Sequence, residues 1–315
     1  MGRYLALRLV ALVVSLLGIS ILTFGLGALA PGDPAEVILQ RALGQPATAD
    51  QITQERRALG LDRPLVVQYR GWLAKAVRGD LGASWNRGRS VTSIMAGRIP
   101  RTAALALTAA ALAVVLGVSA GVVAAVHSRS PLDHASRAGA LLATAFPSYF
   151  TGYVLILLFA IKLRVLPAFG AGSPAKLVLP AVTLALSEAA TLSRLTRSSV
   201  LDVLGQDYVR TANAKGARQT AVLAWHVVPN AFIPVLTLSG LFLGRLLGGA
   251  VIVETVFAWP GVGQLAVEAI QARDFPLLQG VVLFSGLVYV LLNFAVDAGY
   301  MWFDPRIRLV RRRPG

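Results

Sequence analysis

The stretch AALALTAAALAVVLGVSAGVVAAV, residues 103–126, runs for 24 positions without a charged side chain. A helix that crosses the roughly 30 Å hydrocarbon core of a bilayer needs about 20 such residues. Five further stretches meet or approach that requirement, at 9–30, 138–161, 177–192, 231–253 and 277–303. The fourth in chain order, 177–192, is the weakest, because Pro180 and Glu188 interrupt it. Arg, Pro, Gly and Trp flank the stretches, as expected of helix ends at a membrane interface. The pattern predicts an all-α integral membrane protein with six transmembrane helices.

Composition agrees. The chain has 315 residues, of which 56% are hydrophobic and 14% charged, and its mean hydropathy is +0.66. Globular domains carry about 45–50% apolar and about 25% charged residues, so the charge here is too sparse to cover a soluble surface. The net charge of +15 superficially suggests a nucleic-acid partner. The basic residues sit between apolar runs instead, which membrane topology explains better; no nucleic acid is expected. With no cysteine, disulfides and thiolate chemistry are excluded, and with three histidines no His-rich metal cluster is expected.

The first stretch has two readings. Arg3 and Arg8 before it and Ala28-Leu29-Ala30 after it fit a signal peptide, but the apolar region exceeds the usual length and Pro31 would follow the cut. An uncleaved anchor fits better. Short loops then vote on orientation. One side receives fourteen basic residues: Arg3, Arg8, Arg129, Arg137, Arg194, Arg197, Arg210, Lys215, Arg218 and the tail Arg306, Arg308, Arg311, Arg312 and Arg313. The other holds Lys162, Arg164, Lys176 and Arg273, offset by Glu254, Glu268 and Asp274. Both termini are therefore placed in the cytoplasm. The chain divides into an N-terminal membrane helix (1–30), an extracytoplasmic helical loop (31–101), a five-helix core (102–303) that includes a cytoplasmic loop at 194–230, and a basic tail (304–315).

In the long outer loop, Thr48-Ala49-Asp50-Gln51 fits a capping box, and Leu59-Gly60 would close that helix. Asp62-Arg63-Pro64 begins another, running to about Arg78, with Val67, Tyr69, Trp72, Leu73 and Ala76 on one apolar face. That face must pack on the membrane or on the outer ends of the spans. Two readings stand: a structural cap, or a docking surface for an external partner.

The cytoplasmic loop carries small residues, a glycine and a proline at fixed spacing: Asp207-Tyr208-Val209-Arg210-Thr211-Ala212-Asn213-Ala214-Lys215-Gly216, then His226-Val227-Val228-Pro229. This predicts two short helices with a tight turn at Gly216, whose missing Cβ permits the reversal. Pro229 can open the next span, where its absent N–H is no loss. On pattern alone an ordinary amphipathic loop is the better reading.

These residues resemble the EAA motif of ATP-binding-cassette import permeases, in which Glu-Ala-Ala is followed at fixed intervals by Gly and by Ile-x-Leu-Pro. Arg210, Thr211 and His226 replace the usual Glu, Ala and Ile. The form with Asp207, Arg210, Thr211, Ala212, Ala214, Lys215 and Gly216 is similar to that of the dipeptide/oligopeptide/nickel permease family. The resemblance spans nearly the whole chain, through Pro31-Gly32-Asp33-Pro34, Leu59-Gly60-Leu61-Asp62-Arg63-Pro64, Gly79-Asp80-Leu81-Gly82, Arg194-Leu195-Thr196-Arg197-Ser198-Ser199, Val253-Glu254-Thr255-Val256-Phe257, Trp259-Pro260-Gly261-Val262-Gly263, Arg273-Asp274-Phe275-Pro276 and Asp304-Pro305-Arg306-Ile307-Arg308. It is similar to the first of the two permease subunits of such importers. It implies a type I permease fold in a bacterial plasma membrane, with Asp207, Arg210–Gly216 and Pro229 coupling to a separate ATPase. The implied partners are a second homologous permease, two ATP-binding subunits that hold ATP and Mg, an extracytoplasmic solute-binding protein and membrane lipid. The solute would be a peptide or a related molecule. The chain itself would be no enzyme and carry no cofactor or catalytic residue; none of its four lysines lies in a phosphate-cradling loop.

The rival function is a secondary transporter or channel independent of ATP. Such proteins often show an internal repeat or a relay of embedded acids, and neither is evident. A membrane enzyme is weaker still, since no H-E-x-x-H or G-x-S-x-G is present.

Three ionisable residues fall within apolar spans: Glu188, Arg245 and Asp297. Each costs at least about 2.5–3.5 kcal/mol at a span centre unless it finds a partner or water. Asp297 matches a family position, which implies a structural role. Glu188 and Arg245 depart from the family's small or uncharged residues; they are read as an intramembrane pair or, for Arg245, as a group lining the passage. Gly240, Gly244 and Gly248 recur every four residues, permitting close helix approach either within the subunit or at the permease–permease seam.

Overall fold

Long apolar sequence folds as helix in a medium where every backbone polar group must be satisfied internally. The computed structural model describes residues 2–29 and 32–303, with side chains described for 7–29, 32–40 and 42–296. Among these residues it is helical almost throughout, with one isolated antiparallel bridge between Ala83 and Ser90. The helices are α1 (Gly2–Ala28), α2 (Pro34–Leu43), α3 (Ala49–Ala58), α4 (Leu65–Val77), α5 (Val91–Val126), α6 (Pro131–Ala145), α7 (Ser148–Leu155), α8 (Pro174–Leu204), α9 (Asp207–Ala214), α10 (Gln219–Val222), α11 (Val228–Leu247), α12 (Val251–Val256), α13 (Val262–Gln271) and α14 (Phe275–Phe303).

Five helical segments are long and apolar enough to cross a membrane: Leu7–Ala28, Val91–Val126, Pro174–Leu204, Gln219–Leu247 and Phe275–Val296. The stretch expected as a straight third span is instead a bent pair, Pro131–Ala145 and Ser148–Lys162, turning by 103°. The cause is Pro147, which pushes Phe146 into extended backbone (ψ 133°). Two other expected boundaries shift. The helix expected from residue 103 starts at Val91, because Pro100 is carried inside it. The fifth span ends at Leu247, where Gly248 and Gly249 (φ +115°) break it before α12.

The centre of the bundle is the crossing of α5 and α8. A Cβ added to Gly117 would lie 2.7 Å from the Ala189 carbonyl oxygen, and one added to Gly121 would lie 2.6 Å from that of Ser193. Only glycine permits this approach. Around it Leu105, Ala109, Ala113, Ala185, Leu192, Val235 and Phe242 form the main core. Small side chains dominate, as van der Waals contact rather than hydrophobic expulsion drives helix association in lipid.

Gly240, Gly244 and Gly248 of α11 face α14 within the subunit. A Cβ on Gly240 would press on Val296 at 2.6 Å, and those on Gly244 and Gly248 would touch Leu292 and Ser285 at 3.6 Å. Ser285 also donates its hydroxyl to the Gly248 carbonyl at 2.6 Å.

The segment between α1 and α5 is largely helical. Thr48 and Gln51 make the reciprocal capping box of α3, and Gly60 (φ +70°) follows its end. The aromatic face of α4 lies on α1: Phe24 meets Tyr69 at 5.5 Å and Trp72 at 5.9 Å between ring centroids. Buried Ser20 shares a 2.7 Å hydrogen bond with the hydroxyl of half-buried Tyr69, which gives it a partner.

Candidate functional site

The loop between α8 and α11 projects from the helix bundle as two short helices. Val209 is its buried anchor, packed with Ala125, Val200, Val222, Val227 and Ala231. Asp207, Arg210, Thr211, Ala214 and Lys215 are exposed around that anchor, and Ala212 is half-buried. Gly216 takes φ +79° and closes the turn through its N–H to the Asn213 carbonyl at 2.9 Å. The Arg210–Asp207 ion pair is 3.6 Å long and almost fully exposed, so water and ions screen most of its energy. These charges are free to meet an external surface.

The loop is joined to α11 by a widened turn. Pro229 lacks the N–H that would reach back to residue 225. The chain answers with a π-helical turn over Leu223–Val227, in which Val228 N–H bonds the Leu223 carbonyl. Such turns are rare in helices and occur often at functional sites.

Deep in the bundle, α8 and α11 each present one charge to the other. Arg245 Nη2 donates to Glu188 Oε1, and the guanidinium carbon lies 5.9 Å from the Phe242 ring centre. The depth follows from α5. Gly117, which abuts Ala189, precedes the loop-side end of α5 at Val126 by nine residues, about 14 Å at 1.5 Å rise per residue. That is close to half of a roughly 30 Å core. The Arg245 side chain is 60% exposed and that of Glu188 17%. A charge so placed cannot face lipid cheaply; it must face water or another protein. Asp297 falls on α14 outside the residues whose side chains are described.

The end of the bundle away from that loop holds a polar lock, to which the sequence alone assigned no role. Glu254 on α12 is fully buried and has no ion-pair partner among the described residues. Its carboxylate accepts from the Thr102 hydroxyl at 2.9 Å and from Gln264 N–H at 2.9 Å. Thr102 in turn accepts from Val262 N–H at 2.8 Å, and Trp259 Nε1 donates to the Arg101 carbonyl at 3.1 Å. Burial pushes the Glu254 carboxyl above its ordinary range, partly opposed by these donors. The glycines of Trp259-Pro260-Gly261-Val262-Gly263 now have a reason. A Cβ on Gly261 would collide with the Glu254 carboxylate, and one on Gly263 would lie 2.8 Å from the Val251 backbone. That glycine pair beside an isolated Glu is the signal in the sequence that could have revealed the lock.

Two further ties frame it. Asp274, at the start of α14, is buried and accepts from Ser84 and from the N–H groups of Trp85 at 3.1 Å and Asn86 at 3.2 Å. Toward the loop side, Asp133 is buried and receives Arg197 bidentately at 2.6 and 2.8 Å, pinning the start of α6 to α8. In the sequence Arg197 counted toward topology and stood in a family-like segment, with no ion pair assigned to it. Among the described residues no group of three or more His, Cys, Asp or Glu side chains is arranged to hold a metal.

Comparison with known proteins bears on this arrangement. Residues 113–309 match the family described as binding-protein-dependent transport system inner membrane component, and residues 1–106 match the N-terminal family of the same membrane components. The glutathione transport system permease protein GsiC of Escherichia coli O6:H1 is 41% identical, covering 98% of this chain and 99% of that protein. Its counterpart in Escherichia coli K12 is 40% identical over the same shares. An inward-facing structure of the MetNI methionine ABC transporter superposes with a TM-score of 0.58 at 16% identity, covering 67% of this chain and 96% of the solved chain.

Proposed function

This chain belongs to the family of binding-protein-dependent transport-system inner-membrane components, and we propose that it forms one half of the passage in an importer of short peptides of the glutathione type. As a member of that family it is a multi-pass permease subunit of an ATP-binding-cassette importer, not an enzyme. The finer reading is as follows. A second homologous permease completes the passage. Two ATP-binding subunits, holding ATP and Mg, receive Arg210–Gly216 and its neighbours in a cleft. A solute-binding protein delivers substrate to the opposite face. Both termini and the loop at 194–230 lie in the cytoplasm, in accord with the basic residues counted there.

The observation that carries this reading is the continuity of α8, the loop and α11. The loop is a small anchored knob with exposed charges, and the two helices it joins carry the Glu188–Arg245 pair. Force applied to the knob on nucleotide binding moves both walls beside that pair. The glutathione assignment comes from the named relatives at 40–41% identity.

Purification in mild detergent from the native membrane, with mass spectrometry of the companions, tests the assembly. The expected result is a second six-span permease and ATP-binding subunits. A chain that purifies alone and moves solute in liposomes without ATP contradicts it.

A further inference from the structure

The pair between α8 and α11 is neutral as a unit but only half used. Arg245 gives one nitrogen to Glu188, and among the described residues its Nε and Nη1 and the second Glu188 oxygen have no protein partner. The guanidinium is held near the Phe242 ring, which favours a fixed orientation, and its 60% exposure leaves the fork open to the side not covered by the subunit. A planar fork of this kind receives a carboxylate through two parallel bonds, and a free carboxylate oxygen receives an ammonium.

We infer that Arg245 and Glu188 form a clamp in the passage for the head group of an α-amino acid, in which ammonium and carboxylate sit on one carbon. This rests on the importer reading above and names the part of the substrate that the passage contacts. In a γ-glutamyl peptide such as glutathione both charges remain free on the same carbon. In an α-linked peptide they stand at opposite ends. Two adjacent protein charges of opposite sign match the first arrangement and not the second. Neutrality of the pair also suits a passage, because binding in transit must be weak enough to release. A lone arginine at this depth would hold an anion and lack a partner once it left.

The test uses the complete importer in proteoliposomes with its solute-binding protein. It compares uptake of glutathione, glutathione acetylated on its amino group, glutathione amidated on the glutamyl α-carboxylate, and the α-linked peptide Glu-Cys-Gly. The same binding protein serves every variant, so its own preference cancels in the ratios. Glu188→Gln is expected to lower the preference for glutathione over the acetylated form at least tenfold. Arg245→Gln is expected to do the same for the amidated form, with Arg245→Lys intermediate because it keeps charge but loses the fork. The E188Q/R245Q double variant controls for folding, since it removes both charges together and leaves no unpaired one.

Unchanged ratios in variants that still transport overturn the clamp while leaving the importer standing. So does full recovery of wild-type rate and ratios in the E188R/R245E exchange, which is the signature of a purely structural tie. If the binding protein stimulates ATP hydrolysis but none of the four compounds enters, the peptide assignment fails and the clamp fails with it. If ATP hydrolysis is not stimulated at all, the importer reading itself is contradicted.

Discussion

Thr102 on α5 donates its hydroxyl to the buried carboxylate of Glu254 at 2.9 Å while accepting the Val262 N–H at 2.8 Å. One side chain thus bolts the long helix α5 to both α12 and α13. Replacing Thr102 by Val removes the hydroxyl and strands a buried acceptor and a buried donor. The expected cost is about 1–3 kcal/mol for each unmatched group, seen as a lower unfolding midpoint of the purified complex. Thr102→Ser should retain most of the wild-type value; equal losses for Val and Ser would contradict the bond.

The same carboxyl makes stability depend on pH. Its folded-state pKa is raised above the ordinary 4.5 by burial. A raised value means that the folded protein holds the proton more tightly than the unfolded chain. The contribution is fully present below the unfolded value and is lost as pH rises through the folded one. Thermal melts from pH 4.5 upward should therefore show a decline in wild type that is shallower in Glu254→Gln. Parallel curves for the two proteins would remove Glu254 as the source.

Glycine spacing in this chain is steric, and its predictions separate cleanly. Gly117→Ala places a methyl 2.7 Å from the Ala189 carbonyl oxygen, and Gly263→Ala places one 2.8 Å from the Val251 backbone. Backbone cannot step aside as a side-chain tip can, so each is expected to destabilise by about 1–3 kcal/mol. Gly139→Ala meets nothing within 4 Å and should be neutral or slightly stabilising through helix propensity. Expression and melting midpoints of the three variants give the comparison.

At the loop, Gly216→Val is strained at φ +79° and should misplace the turn without disturbing the Val209 anchor. The expected outcome is a folded permease that retains its partner permease but loses most of its bound ATP-binding subunit, with uptake down tenfold or more. Normal retention of the ATPase with normal uptake would place the coupling contact elsewhere.

The spans were legible because apolar length is a local property: residues 103–126 announce a membrane helix by themselves. The capping box at Thr48 and the turn at Gly216 were legible for the same reason, each being set by a few adjacent residues. The bend at Phe146-Pro147 was also written locally, but the apolar run on either side of the proline concealed it. What could not be read was long-range pairing. Asp133 meets Arg197 across 64 positions, and Thr102 meets Glu254 across 152. In the sequence these acids and bases look like ordinary loop charges, and a topology count treats them as such. Only packing reveals that Glu254 and Asp133 are buried and therefore bound to specific donors.

The central claim is that this permease moves solute only when an ATPase acts on the loop between α8 and α11. Its most direct test is uptake of radiolabelled glutathione into proteoliposomes holding the complete complex, with ATP supplied on the loop side, compared with the Gly216→Val complex. ATP-dependent accumulation in wild type and near-background uptake in the variant are expected. Accumulation without ATP, or undiminished ATP-driven uptake by the variant, would contradict it.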